Sequence, residues 1–239
     1  MIGSGNEVML PGFVNGHHHI GLTPVQLGSP DMPLELWFVT RMVMRNVNLY
    51  LDTLYSAFEM IASGVTTVQH LHGRIPGKLD QVDRGCDEAI RAYHDVGMRV
   101  SYSYAVRDQN RLVYQRDEEF IASLPSDLRG PMQRWFERFQ LTLDDDIALF
   151  EGLYGCYGDV RRVKIQLAPA NLHWCSDDAL TRLADCSREH EVPLHMHLLE
   201  MAYKEGIRSQ AWRRHRGGVH RPLRSARTAD DARPRRLAK

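Results

Sequence analysis

Short apolar runs alternate with longer segments of helical period along most of this chain. VMLPGFVN is apolar and extended, and it leads directly into three histidines, His17 to His19. LYLDTLYSAFEMIASG then carries apolar residues at helical spacing and stops at Gly64. VTTVQHLH is short and β-branched, as a buried strand should be. DEAIRAYHDVG predicts a second helix ending at Gly97, and MRVSYSYAV predicts the next strand. Two acidic, aromatic-bearing stretches, Asp117 to Ala122 and Trp135 to Tyr157, read as helices. VRRVKIQLAP predicts a fourth strand and VPLHMHLLE a fifth, separated by SDDALTRLADCSREH, a helix with Ser176 as N-cap and acidic residues in its first turn.

Alternation of this kind predicts an α/β protein with a parallel sheet and crossover helices. Near-continuous apolar strands fit a sheet buried on both faces. An open doubly wound sheet and a (β/α) barrel satisfy the pattern equally well. The sequence contains neither GxGxxG nor GxxxxGK[ST], which removes the usual nucleotide-binding signatures of the open-sheet class. After the fifth strand MAYKEGIRSQAW starts as a helix and the apolar period is then lost. The expected division is therefore an α/β domain over residues 1–207 and a basic, disordered tail over 208–239.

Composition changes this picture in two places. Thirty basic residues balance thirty acidic ones, so the chain as a whole has no field suited to capturing nucleic acid or an anionic membrane. That balance is uneven, because Arg213, Arg214, Arg216, Arg221, Arg224, Arg227, Arg233, Arg235 and Arg236 crowd the last segment. Aromatics interleaved with the basic residues, expected of a single-strand binder, are nearly absent there, so a solvated tail is the reading and no nucleic-acid partner is expected. The four cysteines lack CxxC spacing and read as reduced thiols. With no signal-peptide pattern and no apolar run long enough for a bilayer, the expectation is a cytoplasmic protein with no membrane contact.

Candidate chemistry gathers at the C-terminal ends of predicted strands, where a parallel (β/α) architecture builds its active site. On a strand His17 and His19 share one face while His18 points to the other. Two neutral imidazoles so placed can bind one divalent ion at about 2.0 to 2.1 Å each. A chance surface cluster remains open if this motif is taken alone. HMHLLE repeats the arrangement, with His195 and His197 on one face and Glu200 just past the strand end, where a carboxylate could move protons beside an activated water. His70 and His72 exceed what one zinc-type site needs, and read as pocket or substrate contacts rather than ligands. Leu36, Trp37, His70, His72 and Trp174 together suggest an apolar, ring-accommodating cavity, although such residues are also common packing positions.

At these residues the sequence resembles a family. PGFVNGHHH resembles the opening signature of the amidohydrolase superfamily, whose first barrel strand ends in an HxH metal motif. EMIASGVTTV, DMPLELWF, LAPANLHWCSDDAL and HMHLLE resemble, in order, further segments of its cytosine deaminase and triazine hydrolase branch, DMPLELWF as the pocket loop after the HxH. The resemblance spans roughly Glu7 to Gly206 and implies a (β/α) barrel, here a partial one covering about strands one to five. It implies that His17, His19 and His197 bind one divalent metal, zinc ahead of iron, and that Glu200 is the proton shuttle. The implied reaction is attack of activated water on a carbon bearing nitrogen, most often deamination of a nitrogen heterocycle or amidine-like small molecule. Dimers are common in the family, so a homodimer is a candidate assembly.

The sequence also departs from that family. Its strand-six His and strand-eight Asp have no counterpart, since His220 lies in GGVHRP and Asp230 and Asp231 lie in ARTADDARP, neither of which follows an apolar strand. Three further βαβ units cannot fit after Gly206, because each needs roughly thirty residues. The reading is of a truncated chain whose Arg-rich end suits a shifted reading frame. The second functional reading is accordingly an inactive fragment that keeps its ligands and has no catalysis of its own.

Overall fold

The structure is a computed structural model and describes residues 6–19, 32–42 and 47–198. The element order is β1 (Phe13–His18), α1 (Leu34–Arg41), α2 (Leu49–Ala62), β2 (Val65–His72), α3 (Leu79–Asp95), β3 (Arg99–Val106), α4 (Asp117–Ser123), α5 (Ser126–Phe136), α6 (Leu143–Tyr157), β4 (Val163–Pro169) and α7 (Asp177–Glu189). Strands pair in parallel in the order β1-β2-β3-β4, each beside its neighbour in sequence. A doubly wound sheet reverses its winding at a switch point. This sheet does not reverse among the described residues, so it winds in one direction, as part of a (β/α) barrel does.

Side-chain alternation sorts the strands into two faces. Val68, Val100, Tyr102, Val106, Val163, Ile165 and Leu167 pack with residues of α2, α3, α6 and α7 into one buried cluster. Each such side chain contributes on the order of 1.5–3 kcal/mol on burial. The opposite face is small or polar: the Gln69 side-chain amide donates to the Gln166 side-chain carbonyl at 3.0 Å, and Ser103 donates to the His70 carbonyl at 3.2 Å. The interior of the part-barrel thus carries hydrogen bonds and a smaller apolar cluster around Leu71, while the main apolar core lies between sheet and helices.

Local signals fix the helix ends. Asn48 accepts from the Leu51 amide at the start of α2, and Ser176 accepts from the Ala179 amide at the start of α7. Gly64 and Gly97 both adopt positive φ, 81° and 76°, directly after the helices they stop.

Three segments differ from the sequence expectation. The stretch Trp135 to Tyr157 is two helices, because Thr142 and Asp145 form a reciprocal capping box that starts α6 afresh. DMPLELWF, expected as a pocket loop, is helical from Leu34. The fifth strand is reduced to one parallel bridge, Leu167 with Leu194, in which the His195 amide donates to the Leu167 carbonyl at 2.9 Å. Pro193 has no N–H to extend that pairing. Glu200, His220, Asp230, Asp231 and the whole of 208–239 lie outside the described residues.

Candidate metal centre

Asn15 shapes the approach to the centre. Its side-chain oxygen accepts from the His17 amide at 3.2 Å, and the β1–β2 register shifts between Asn15 and His18. This bulge lifts Gly16 and His17 out of the ladder, a device that re-aims a side chain at a strand end. His18 turns the other way, edge-on to His70 with ring centroids 5.7 Å apart.

Four imidazoles from two distant segments then meet. His17 Nε2 lies 3.1 Å from His19 Nε2, and His197 Nε2 lies 3.1 Å from the same atom. His17 Nδ1 lies 3.0 Å from His195 Nε2. One ring nitrogen from each of His17, His19 and His197 falls within 4.8 Å of the others, a spacing at which the three could hold a metal ion.

Backbone carbonyls fix the tautomers of two of these rings. His19 Nδ1 is 2.7 Å from the Leu71 carbonyl, and His197 Nδ1 is 3.2 Å from the Ala170 carbonyl. A carbonyl oxygen can only accept, so both Nδ1 atoms carry the proton and both Nε2 atoms present lone pairs. Metal-binding histidines are held in this way. Desolvation, partly offset by the bond to Leu71 and aided by the neighbouring imidazoles, brings His19 down to about 4. Desolvation, with His17 and His197 beside it, likewise brings His195 down to about 4. Both rings are therefore neutral near pH 7. Two lone pairs facing each other at 3.1 Å repel unless a cation lies between them, and tetrahedral zinc with bonds of about 2.05 Å spaces its nitrogens by roughly 3.3 Å. The donor set fits a divalent metal of the zinc type.

The remaining sequence candidates lie elsewhere. His70 and His72 are buried on the helix-facing side, their rings stacked with centroids 5.4 Å apart. His70 Nδ1 is bonded to the Tyr93 hydroxyl at 2.8 Å and His72 Nδ1 to the Tyr102 hydroxyl at 2.5 Å. Burial holds His70 well below its ordinary value and brings His72 down to about 3. Trp174 is buried with Leu71, Ala105, Ala168 and Ala170, and Phe38 packs edge-on to it at 5.3 Å. Trp37 is half-buried beside Phe38. Because Leu71 and Ala170 supply the carbonyls that hold His19 and His197, this small-residue and aromatic cluster backs the histidine centre directly. The part played by His195 was less visible in the sequence, where HMH signalled a shared face but not which atom of which partner each ring would meet.

A one-way parallel sheet with histidines gathered at the C-terminal ends of its strands is the arrangement of part of a (β/α) barrel. The amidohydrolase family model matches residues 8–238, and the chain belongs to the amidohydrolase family. It is 28% identical over 205 residues to an 8-oxoguanine deaminase of Pseudomonas aeruginosa, covering 83% of this chain and 42% of that protein. It is 24% identical over 208 residues to a 5-methylthioadenosine/S-adenosylhomocysteine deaminase of Shouchella clausii, covering 84% and 39%. Among solved structures, an atrazine chlorohydrolase variant from Arthrobacter aurescens complexed with zinc and atraton matches with a TM-score of 0.61 at 20% identity, covering 85% of this chain and 44% of that one. An adenosine deaminase from Xanthomonas campestris with bound zinc matches with a TM-score of 0.59 at 20% identity, covering 84% and 38%. These likenesses carry the fold. The chain spans about two fifths of the length of the curated relatives it matches. Among the described residues no helix is long and apolar enough to cross a membrane.

Proposed function

We propose that this chain provides the metal-binding wall of a hydrolase acting on non-peptide carbon–nitrogen bonds, deaminating a nitrogen heterocycle or amidine-like small molecule. The observation that carries this reading is the pair of carbonyl-fixed tautomers, His19 on Leu71 and His197 on Ala170, which turn two Nε2 lone pairs onto one point beside His17. A divalent ion held there, zinc ahead of iron, supplies Lewis-acid activation of water at neutral pH. His17, His19 and His197 are the ligands in this reading, and desolvation keeps the His19 ring neutral near pH 7, as a ligand must be. Glu200 follows His197 by three residues and takes the role of proton carrier between water and the substrate nitrogen. Trp37 and Trp174, with Phe38, supply flat apolar surface for a ring.

The test is direct. The purified chain is loaded with zinc, its metal content measured, and ammonia release followed with aminopurines, aminopyrimidines and aminotriazines. One zinc per chain and ammonia release, both lost in His17→Ala and the second alone lost in Glu200→Gln, is the expected result. Zinc binding with no ammonia from any substrate favours the inactive-fragment reading, and no zinc binding at all overturns the metal reading.

A further inference from the structure

His19 and His197 have their tautomers set by backbone carbonyls, but His17 does not. Its Nδ1 meets another imidazole, His195 Nε2, at 3.0 Å. An imidazole partner can either accept or donate. We infer that His195 is a positioning residue that acts through His17, and that metal binding switches the tautomers of this pair together. The inference rests on the metal-binding reading above.

The proton count is as follows. Without a cation, His17 Nε2–H can donate to the lone pair on His19 Nε2, 3.1 Å away. His17 Nδ1 is then a lone pair and accepts from His195 Nε2–H. With a cation on His17 Nε2, that nitrogen gives up its proton and Nδ1 carries it instead. His17 Nδ1–H then donates to His195 Nε2, and His195 keeps its own proton on Nδ1. Two protons are present on the pair before and after, and each has changed nitrogen. His195 Nδ1 is buried with no hydrogen-bond partner among the described residues, so the choice of tautomer is left to the contact of Nε2 with His17. The His195 amide is fixed independently on the Leu167 carbonyl at 2.9 Å, so the backbone that carries the ring is held whichever tautomer the ring adopts.

The experiment uses the full chain with zinc as the probe. Histidine 15N spectra of the wild type are recorded with and without one equivalent of zinc, alongside zinc affinity of His195→Gln and His195→Leu measured against a chromophoric chelator. Expected is movement of the His195 proton from Nε2 to Nδ1 on zinc addition. Affinity should fall about 10–100-fold in His195→Leu, the range for outer partners of metal-binding histidines. His195→Gln, whose side-chain carbonyl can accept from His17 Nδ1–H, should recover most of it. A zinc-bound wild type with His195 still protonated on Nε2, or a leucine variant binding as tightly as wild type, overturns the inference while leaving the metal site intact. A wild type that takes up no zinc overturns the metal reading and this inference with it. The spectra of the wild type decide the matter even if the leucine variant does not fold.

Discussion

The Nε2 atoms of His19 and His197 lie 3.1 Å apart although 178 residues separate them in the chain. Their opposite nitrogens are each bonded to a backbone carbonyl, at the end of β2 and just past β4. The sheet therefore presents both imidazoles already oriented, and His17 completes the trio.

Removing either ring should abolish tight metal binding. His19→Ala or His197→Ala is expected to weaken zinc affinity by more than the roughly 10–100-fold that outer partners command. Competition with a chromophoric chelator measures this, and thermal unfolding of the metal-free proteins serves as the control for folding.

Acid should destabilise the fold through its buried histidines. His70 lies well below its ordinary value of 6.5 and His72 is brought down to about 3, so both bind protons more readily unfolded than folded. Stability should thus be intact above about pH 6.5 and fall as pH drops from there towards 3. Asp146 works in the opposite sense: burial, with Asp108 and Asp145 nearby, raises it to about 7, so its contribution grows as pH falls from 7 towards 3.8. Two histidines outweigh one carboxylate, and the melting temperature of the wild type should drop between pH 7 and pH 5. Asp146→Asn should steepen that drop, which a melting series over the same range would show.

Tyr93→Phe should cost about 1–3 kcal/mol, because it leaves His70 Nδ1 buried without the 2.8 Å bond to the hydroxyl. Leu183→Ala, which empties a fully buried position in the core, should cost about 2–5 kcal/mol. Urea unfolding with a common m-value compares the two.

Large apolar residues also face outward. Leu51, Tyr55, Phe58 and Ile61 form an exposed stripe along α2, and Phe13 and Val14 are exposed on β1, which pairs on one side only among the described residues. Contiguous apolar surface and an open strand edge both favour association. Light scattering of the purified chain should show self-association that Leu51→Lys with Phe58→Glu reduces, without loss of helical circular dichroism.

Much of this was legible in the chain because it is encoded locally. VTTVQHLH coincides with β2, and Ser176 caps α7 as its position before two aspartates implies. The single break between α5 and α6 was missed because the Thr142–Asp145 box lies inside an otherwise helical run of acidic and aromatic residues. The histidine trio could be read from spacing and resemblance. The partners of its other nitrogens could not, since Leu71 and Ala170 contribute backbone atoms that carry no side-chain signature. The partners of His70 and His72 were hidden in the same way: alternation places them on a face, but only the packing of α3 and β3 brings Tyr93 and Tyr102 to them.

X-ray absorption of the zinc-loaded chain tests the central claim most directly. The account predicts back-scattering from about three imidazole rings with nitrogen at roughly 2.0 to 2.1 Å, reduced by one ring in His197→Ala. Zinc bound without imidazole scattering, or a spectrum unchanged in that variant, would contradict it.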